Sequence, residues 1–358
     1  MLNWLIIFIL SFNLTINFGC EKTVYRDFNK PTLNNNCCEN KKIYKTKAHQ
    51  TFDLFISTRG SDYNSGKNSY NSIATLKKAQ DILKKNKINI DVRIYIDSGL
   101  YKRQFVTWDY FNNSNIIFLG LVKNHNPIFD GEGEKIWFNL IKKNGTCSNV
   151  TIMNINIINY KQGIVFNGER DNPYCGWNGN NKLINLKIKN IGTLYSIDST
   201  YSSSAVSFIN SRFNIIKNCY FANIENDKKN KEDILIHGLY FAHYSSNNIV
   251  EECNFSYISG DPIRVRDESN NNIINKNIFT KTGSHAFFSE WFCCAETTRK
   301  KCTKESGECS SFGNQFINNL CNRGYNNNKI QTYYLYGENS FTKQVHIERL
   351  ISKRNKIK

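Results

Sequence analysis

Two adjacent stretches of the chain, Ile234 to Tyr257 and Ile258 to Lys281, are written on one skeleton. Shifting the first by 24 residues lays Leu239 on Ile263, Phe241 on Val265, Ile249 on Ile273 and Phe255 on Phe279. Apolar positions that recur at a fixed period of this length are buried by stacking each unit on the next, so the repeat constrains the fold more than any other feature. Within each unit the apolar residues alternate with period two in short runs, which reads as strands rather than as a helix face. The same core returns in "NVTIMNINIIN" (149–159), "NNKLINLKIKNI" (180–191), "RFNIIKNCYF" (212–221), "NNIVEECNF" (247–255), "NNIINKNIF" (271–279) and "GNQFINNLC" (313–321). Spacings are 24 residues or somewhat more, as expected of coils with a constant core and variable loops. A leucine-rich solenoid does not fit, because its Leu scaffold and its helix per repeat are both missing.

Asparagines at 247, 248 and 270–272 fall where each coil must turn. Asn tolerates left-handed backbone geometry, and its amide can bond the same side chain one coil away, so these positions read as structural. Cys219 and Cys253 occupy one coil position. Rows on neighbouring coils lie about 4.8 Å apart, which suits either a disulfide or a stacked pair of thiols.

The chain enters the repeat through "FDLFISTRGSDYNSGKNSYNSIATLKKAQDILKK" (52–85): a strand, a turn-rich loop and an amphipathic helix over 73–85, followed by the strand "DVRIYI". With Gly60, Asp62, Gly66, Ala74, Thr75, Ala79, Gly99 and Tyr101, and later Gly120, Pro127, Asp130 and Gly131, this succession resembles the entry of right-handed parallel β-helix proteins of the pectate-lyase-like superfamily. The resemblance implies an all-β fold, a right-handed parallel β-helix solenoid with a short N-terminal capping helix. We place the solenoid over 52–336, a Cys-rich insertion at 293–309 and a basic tail over 337–358.

Residues 1–19, "MLNWLIIFILSFNLTINFG", are apolar enough for the core of a signal peptide and marginal for a membrane span, and a Cys-containing leader follows over 20–51. The expected location is therefore secreted or at the cell surface. "NFGC" resembles a lipoprotein cleavage site, although Asn17 and Phe18 depart from its usual residues; contact with a membrane would require lipidation of Cys20 or retention of the leader. Twelve cysteines in an exported chain favour disulfides over zinc, since no paired CxxC motifs occur. The four at 293, 294, 302 and 309 suggest two bridges within the insertion. The formal charge of +17 attracts polyanions, yet a chain so rich in Lys, Asn and Ile also arises from an AT-rich genome, and no specific nucleic-acid motif is present.

Candidate chemistry gathers on the aligned coils. Alternation sends Leu239, Phe241, Ile263 and Val265 inward, and so puts Tyr240, Arg264 and Phe288 on one exposed row and Ala242, Arg266 and Glu290 on the next. His237, Asp261 and His285 edge this face on one side, and His243, Asp267 and Trp291 on the other. Exposed arginines suit the carboxylates of an acidic polysaccharide, and aromatic faces cover sugar rings. The bland readings are a cross-strand ion pair between Arg266 and Glu290, a polar ladder at a turn and an aromatic ladder on the surface.

The resemblance implies a polysaccharide lyase, hydrolase or epimerase without choosing among them. The "NTD", "DD" and "GHG" motifs of polygalacturonase-like hydrolases and the "WIDH" segment of pectate lyases are absent. In β-elimination one group neutralises the uronate carboxylate and another takes the adjacent proton. Arg264 or Arg266 suits the first role, and His243, His237 or His285 the second, with His243 favoured and arginine held in reserve. Calcium could bind Asp261, Asp267 or Glu290, though no loop motif demands it. The alternatives are a non-catalytic carbohydrate-binding adhesin and a structural surface protein.

Overall fold

The structure is a computed structural model that describes residues 50–121, 125–228, 233–292, 308–337 and 348–358. The leader, Cys293, Cys294 and Cys302 lie outside the described residues, so the readings made on them stay expectations. Among the described residues no helix is long and apolar enough to cross a membrane.

The chain winds as a right-handed parallel β-helix. Three long parallel sheets of ten, nine and eight strands run along it, each complete coil giving one strand to each of them, and a short two-stranded sheet joins Asn178–Gly179 to Ser211–Arg212. The 24-residue register holds in the first two sheets, where Ile249 pairs with Ile273 and Phe255 with Phe279. Inward residues stack on their own counterparts. The rings of Phe221, Phe255 and Phe279 lie 4.8 and 5.0 Å apart, and those of Phe166, Phe208 and Phe241 lie 5.2 and 4.7 Å apart. All six phenylalanines are fully buried. The one α-helix among the described residues, Leu76–Asn86, starts at Thr75, whose hydroxyl accepts from the Lys78 N–H, and buries Leu76, Ala79 and Leu83.

Asparagine rows hold the corners. Asn181, Asn214, Asn248, Asn272 and Asn314 are all buried; the Oδ1 of each of the last four accepts both the backbone N–H and the Nδ2–H of the preceding coil's Asn, and Oδ1 of Asn181 accepts from the Ser148 hydroxyl and the Val150 N–H. Asn247 and Asn271 have left-handed backbone, φ 60° and 56°. A second row runs through Asn277 and Asn319 and takes in the Cys253 N–H. Cys219 and Cys253 are free thiols stacked in this row.

Two boundaries differ from the sequence reading. Leu350–Lys353 pairs with Asn314–Ile317, and Lys356–Ile357 pairs with Leu320–Cys321, so residues placed in a basic tail add two strands to the solenoid. In the third sheet the 24-residue register fails after the Arg264 strand, where Ile263 pairs with Phe288 and Arg264 with Ser289. The turn leading to this strand carries one residue more than its counterpart a coil earlier, while Ile258 and Thr282 before it remain paired. A slip of one residue exchanges the faces of a strand.

Candidate functional site

The site lies on the third sheet, at the strands His237–Ala242, Ile263–Arg266 and Ala286–Glu290. Tyr240 and Arg264 are direct neighbours on its outer face, as alternation required. Phe288 is not on that face. The extra turn residue sends its ring into the core, fully buried 5.9 Å from Phe316, and puts Ser289 beside Arg264. The row therefore reads Ser207, Tyr240, Arg264, Ser289, Tyr334.

Glu290 is displaced by the same slip. It is buried, and its carboxylate accepts from the Arg349 guanidinium and the Ser311 N–H. Arg266 is thus not paired with Glu290. Its partner is Glu308, which returns to the sheet from the far side of the insertion and accepts from Nε at 2.7 Å and Nη2 at 2.6 Å. Nη1 of Arg266 donates to the Tyr240 hydroxyl at 3.1 Å, and the guanidinium sits 4.4 Å over the Trp291 ring. Nη2 of Arg170 adds a third donor to Glu308 at 3.0 Å. No motif marks Glu308 or Arg349, and neither falls in the repeated core that sets the register.

Asp261 and its flanking histidines do meet at one turn. Oδ1 of Asp261 accepts from the N–H groups of His285 at 2.9 Å and Ala286 at 3.0 Å, and Oδ2 accepts from Nη2 of Arg264 at 3.1 Å. Burial opposes its ionisation, but Arg264 and these N–H groups outweigh burial and hold the carboxyl down at about 2. Nδ1 of His237 lies 2.7 Å from the Asp261 carbonyl, which can only accept, so Nδ1 carries the proton. Burial, reinforced by Arg264, lowers His237 to about 3 and keeps it neutral.

His243 is buried and bonds Oδ2 of Asp267 through Nδ1 at 2.8 Å, while Oδ1 of Asp267 accepts the Cys309 N–H. His285 is the exposed one of the three histidines; its Nδ1 lies 2.9 Å from the Ser284 hydroxyl and its ring 6.3 Å from that of Tyr334. It lines a cavity of about 560 Å³ with Lys329 and Gln331. Trp291, Tyr336 and Tyr334 form a run of rings with successive centroids 6.2 and 6.5 Å apart.

Arg264 has the simplest environment of the two arginines. Nε donates to Ser289 Oγ at 2.8 Å and Nη2 to Asp261, while Nη1 has no hydrogen-bond partner among the described residues. A half-buried guanidinium held on two nitrogens and open on the third is a preorganised anion donor.

The carboxylates do not fit a resident calcium ion. Asp261 and Glu290 are filled by protein donors. His243, Asp267 and Glu308 offer ligand atoms within 4.8 Å of one another, but the set includes a nitrogen and Glu308 is already taken by two guanidiniums. Calcium takes six to eight oxygens.

No protein-family model matches the chain, and no curated protein matches it. Among solved structures it is similar to a rhamnogalacturonan lyase at 15% identity and a TM-score of 0.54, over 80% of this chain and 75% of that one. Pectate lyase Pel9A aligns at 12% identity and 0.47, over 86% and 80%, and an alginate lyase from Paenibacillus sp. at 10% and 0.43, over 86% and 95%. At 15% identity the likeness to the rhamnogalacturonan lyase is one of fold, and it agrees with the three long parallel sheets: the chain is a parallel β-helix solenoid.

Proposed function

We propose that the protein binds an acidic polysaccharide along the row of Tyr240, Arg264 and Tyr334 and cleaves it by β-elimination. The open Nη1 of Arg264 carries the reading, because every nitrogen of Arg266 is already engaged. A uronate carboxylate on Arg264 would have its charge neutralised, which acidifies the neighbouring C–H. His285 then takes that proton; the C–H pair becomes the new double bond and the glycosidic oxygen departs with its electrons. His285 replaces His243 in this role because His243 is buried and tied to Asp267, and His237 is held neutral as a weak base. Export of the protein to the cell surface or beyond it belongs to the same proposal.

Incubating the protein with uronate-containing polymers should produce the ultraviolet absorbance of an unsaturated uronate. Binding that depends on Arg264 without any absorbance would select the adhesin reading. Neither binding nor absorbance would leave the solenoid as a structural surface protein.

A further inference from the structure

The hydroxyl of Tyr240 is fixed by a cation and keeps its own hydrogen. Nη1 of Arg266 donates to the phenolic oxygen at 3.1 Å, and a guanidinium cannot accept, so the bond uses an oxygen lone pair. The hydroxyl hydrogen has no acceptor among the described residues. The side chain is half-buried, its ring 5.6 Å from that of His237, and Arg264 is its direct neighbour one coil on. A phenolic donor is thus left over beside the proposed carboxylate site.

Arg266 is held so that it supports this donor. Nε and Nη2 are locked on the buried Glu308, and the guanidinium lies 4.4 Å over the Trp291 ring, which leaves Nη1 for Tyr240. Negative charge developing on the Tyr240 oxygen would meet a cation already in place, the arrangement that stabilises charge without reorganisation.

β-Elimination needs two proton movements. His285 takes the C–H proton, and the departing oxygen, a sugar alkoxide, needs one in return. His285 stands directly before the strand that follows Arg264, so Tyr240 and His285 lie on the coils to either side of Arg264. Coils rise by about 4.8 Å, which sets these two coils roughly 10 Å apart. A sugar ring with a hydrogen bond of about 3 Å at either edge fills that span.

We infer that the Tyr240 hydroxyl gives its proton to the departing glycosidic oxygen, with Arg266 as its positioning residue. The C–O electrons leave with the oxygen, which takes the Tyr240 hydrogen, while the C–H electrons form the double bond. The phenolate rests on Arg266 until water reprotonates it, and His285 returns its proton to water. The inference rests on the β-elimination reading and adds its acid.

Tyr240→Phe keeps the ring and removes the proton. Two substrates separate these roles: whichever of polygalacturonate, alginate and unsulfated chondroitin the wild type cleaves, and the matching uronic acid carrying a 2,4-dinitrophenoxy group at C4, which departs without a proton and is followed by its colour. On the polymer kcat should fall by about 10² to 10⁴, the range for a missing general acid, with KM little changed. On the dinitrophenyl substrate turnover should match wild type, whereas His285→Ala should slow both. Arg266→Lys keeps a charge for Glu308 but loses the third directed donor, and should show a smaller loss, again on the polymer alone. Equal losses on both substrates in Tyr240→Phe, or an unchanged kcat on the polymer, would overturn the inference and leave β-elimination standing. No unsaturated uronate from any of the three polymers with the wild type would overturn both together.

Discussion

Two rows of side chains climb this solenoid and differ in what they leave over. The corner row Asn181, Asn214, Asn248, Asn272 and Asn314 repeats one residue, and each amide satisfies the next. The face row Ser207, Tyr240, Arg264, Ser289 and Tyr334 changes at every coil and leaves a guanidinium nitrogen open. A uniform row of paired donors and acceptors consumes its own hydrogen-bonding capacity and so serves stability. A varied row cannot do this, and its surplus is available to a ligand.

The contrast is most severely tested at Asn272. Replacing it with Ala removes the acceptor of two buried donors, the N–H and Nδ2–H of Asn248, each worth roughly 1–3 kcal/mol when left unsatisfied. Chemical denaturation should show a loss of several kcal/mol by that reckoning, with the yield of folded protein falling accordingly. A variant as stable as wild type would show that the row is ornamental.

On the face the expected loss is of rate. His285→Ala should lower turnover by about 10² to 10⁴, the range for a missing general base, with little change in stability because the ring is exposed. Unaltered turnover would remove His285 from the mechanism.

The boundary between the rows can be read by pH. His237 is lowered to about 3 in the fold, by burial and by Arg264, from an ordinary 6.5. The unfolded chain therefore takes up a proton first as pH falls below about 6.5, and stability present above that pH is lost progressively toward pH 3. Asp261, held at about 2, adds a further loss as pH falls below about 4. Thermal melts of His237→Gln should lose the upper part of this slope and keep the lower. An identical slope in the variant would mean that His237 is not held neutral.

A smaller effect is expected at Glu308. Glu308→Gln frees Arg266 from its neutralising partner, so acidic-glycan affinity should rise several-fold while stability falls by about 1–3 kcal/mol, the usual cost of weakening a charged hydrogen bond. Weaker binding in this variant would show that Glu308 positions Arg266 for the ligand rather than withholding it.

Much of this was legible beforehand. The Tyr240–Arg264 and Ala242–Arg266 pairs, the inward Leu239 and Val265, the Asn248–Asn272 contact and the meeting of His237, Asp261 and His285 all follow from the 24-residue shift. Phe288 and Glu290 did not follow, because one extra turn residue reverses a strand's faces without altering its alternation. His237 and His285 matched each other in sequence and differ in the fold, where His237, like His243, is buried and His285 is exposed.

The sequence by itself determined the stacking of coils and the rows of asparagine, since both depend on residues that recur at a period written in the chain. Only the tertiary structure decided which cation remains open. Glu308 neutralises Arg266 from 42 residues away, and Arg349 occupies Glu290 from 59. An ion pair depends on where a distant segment comes to rest, and no local periodicity records that.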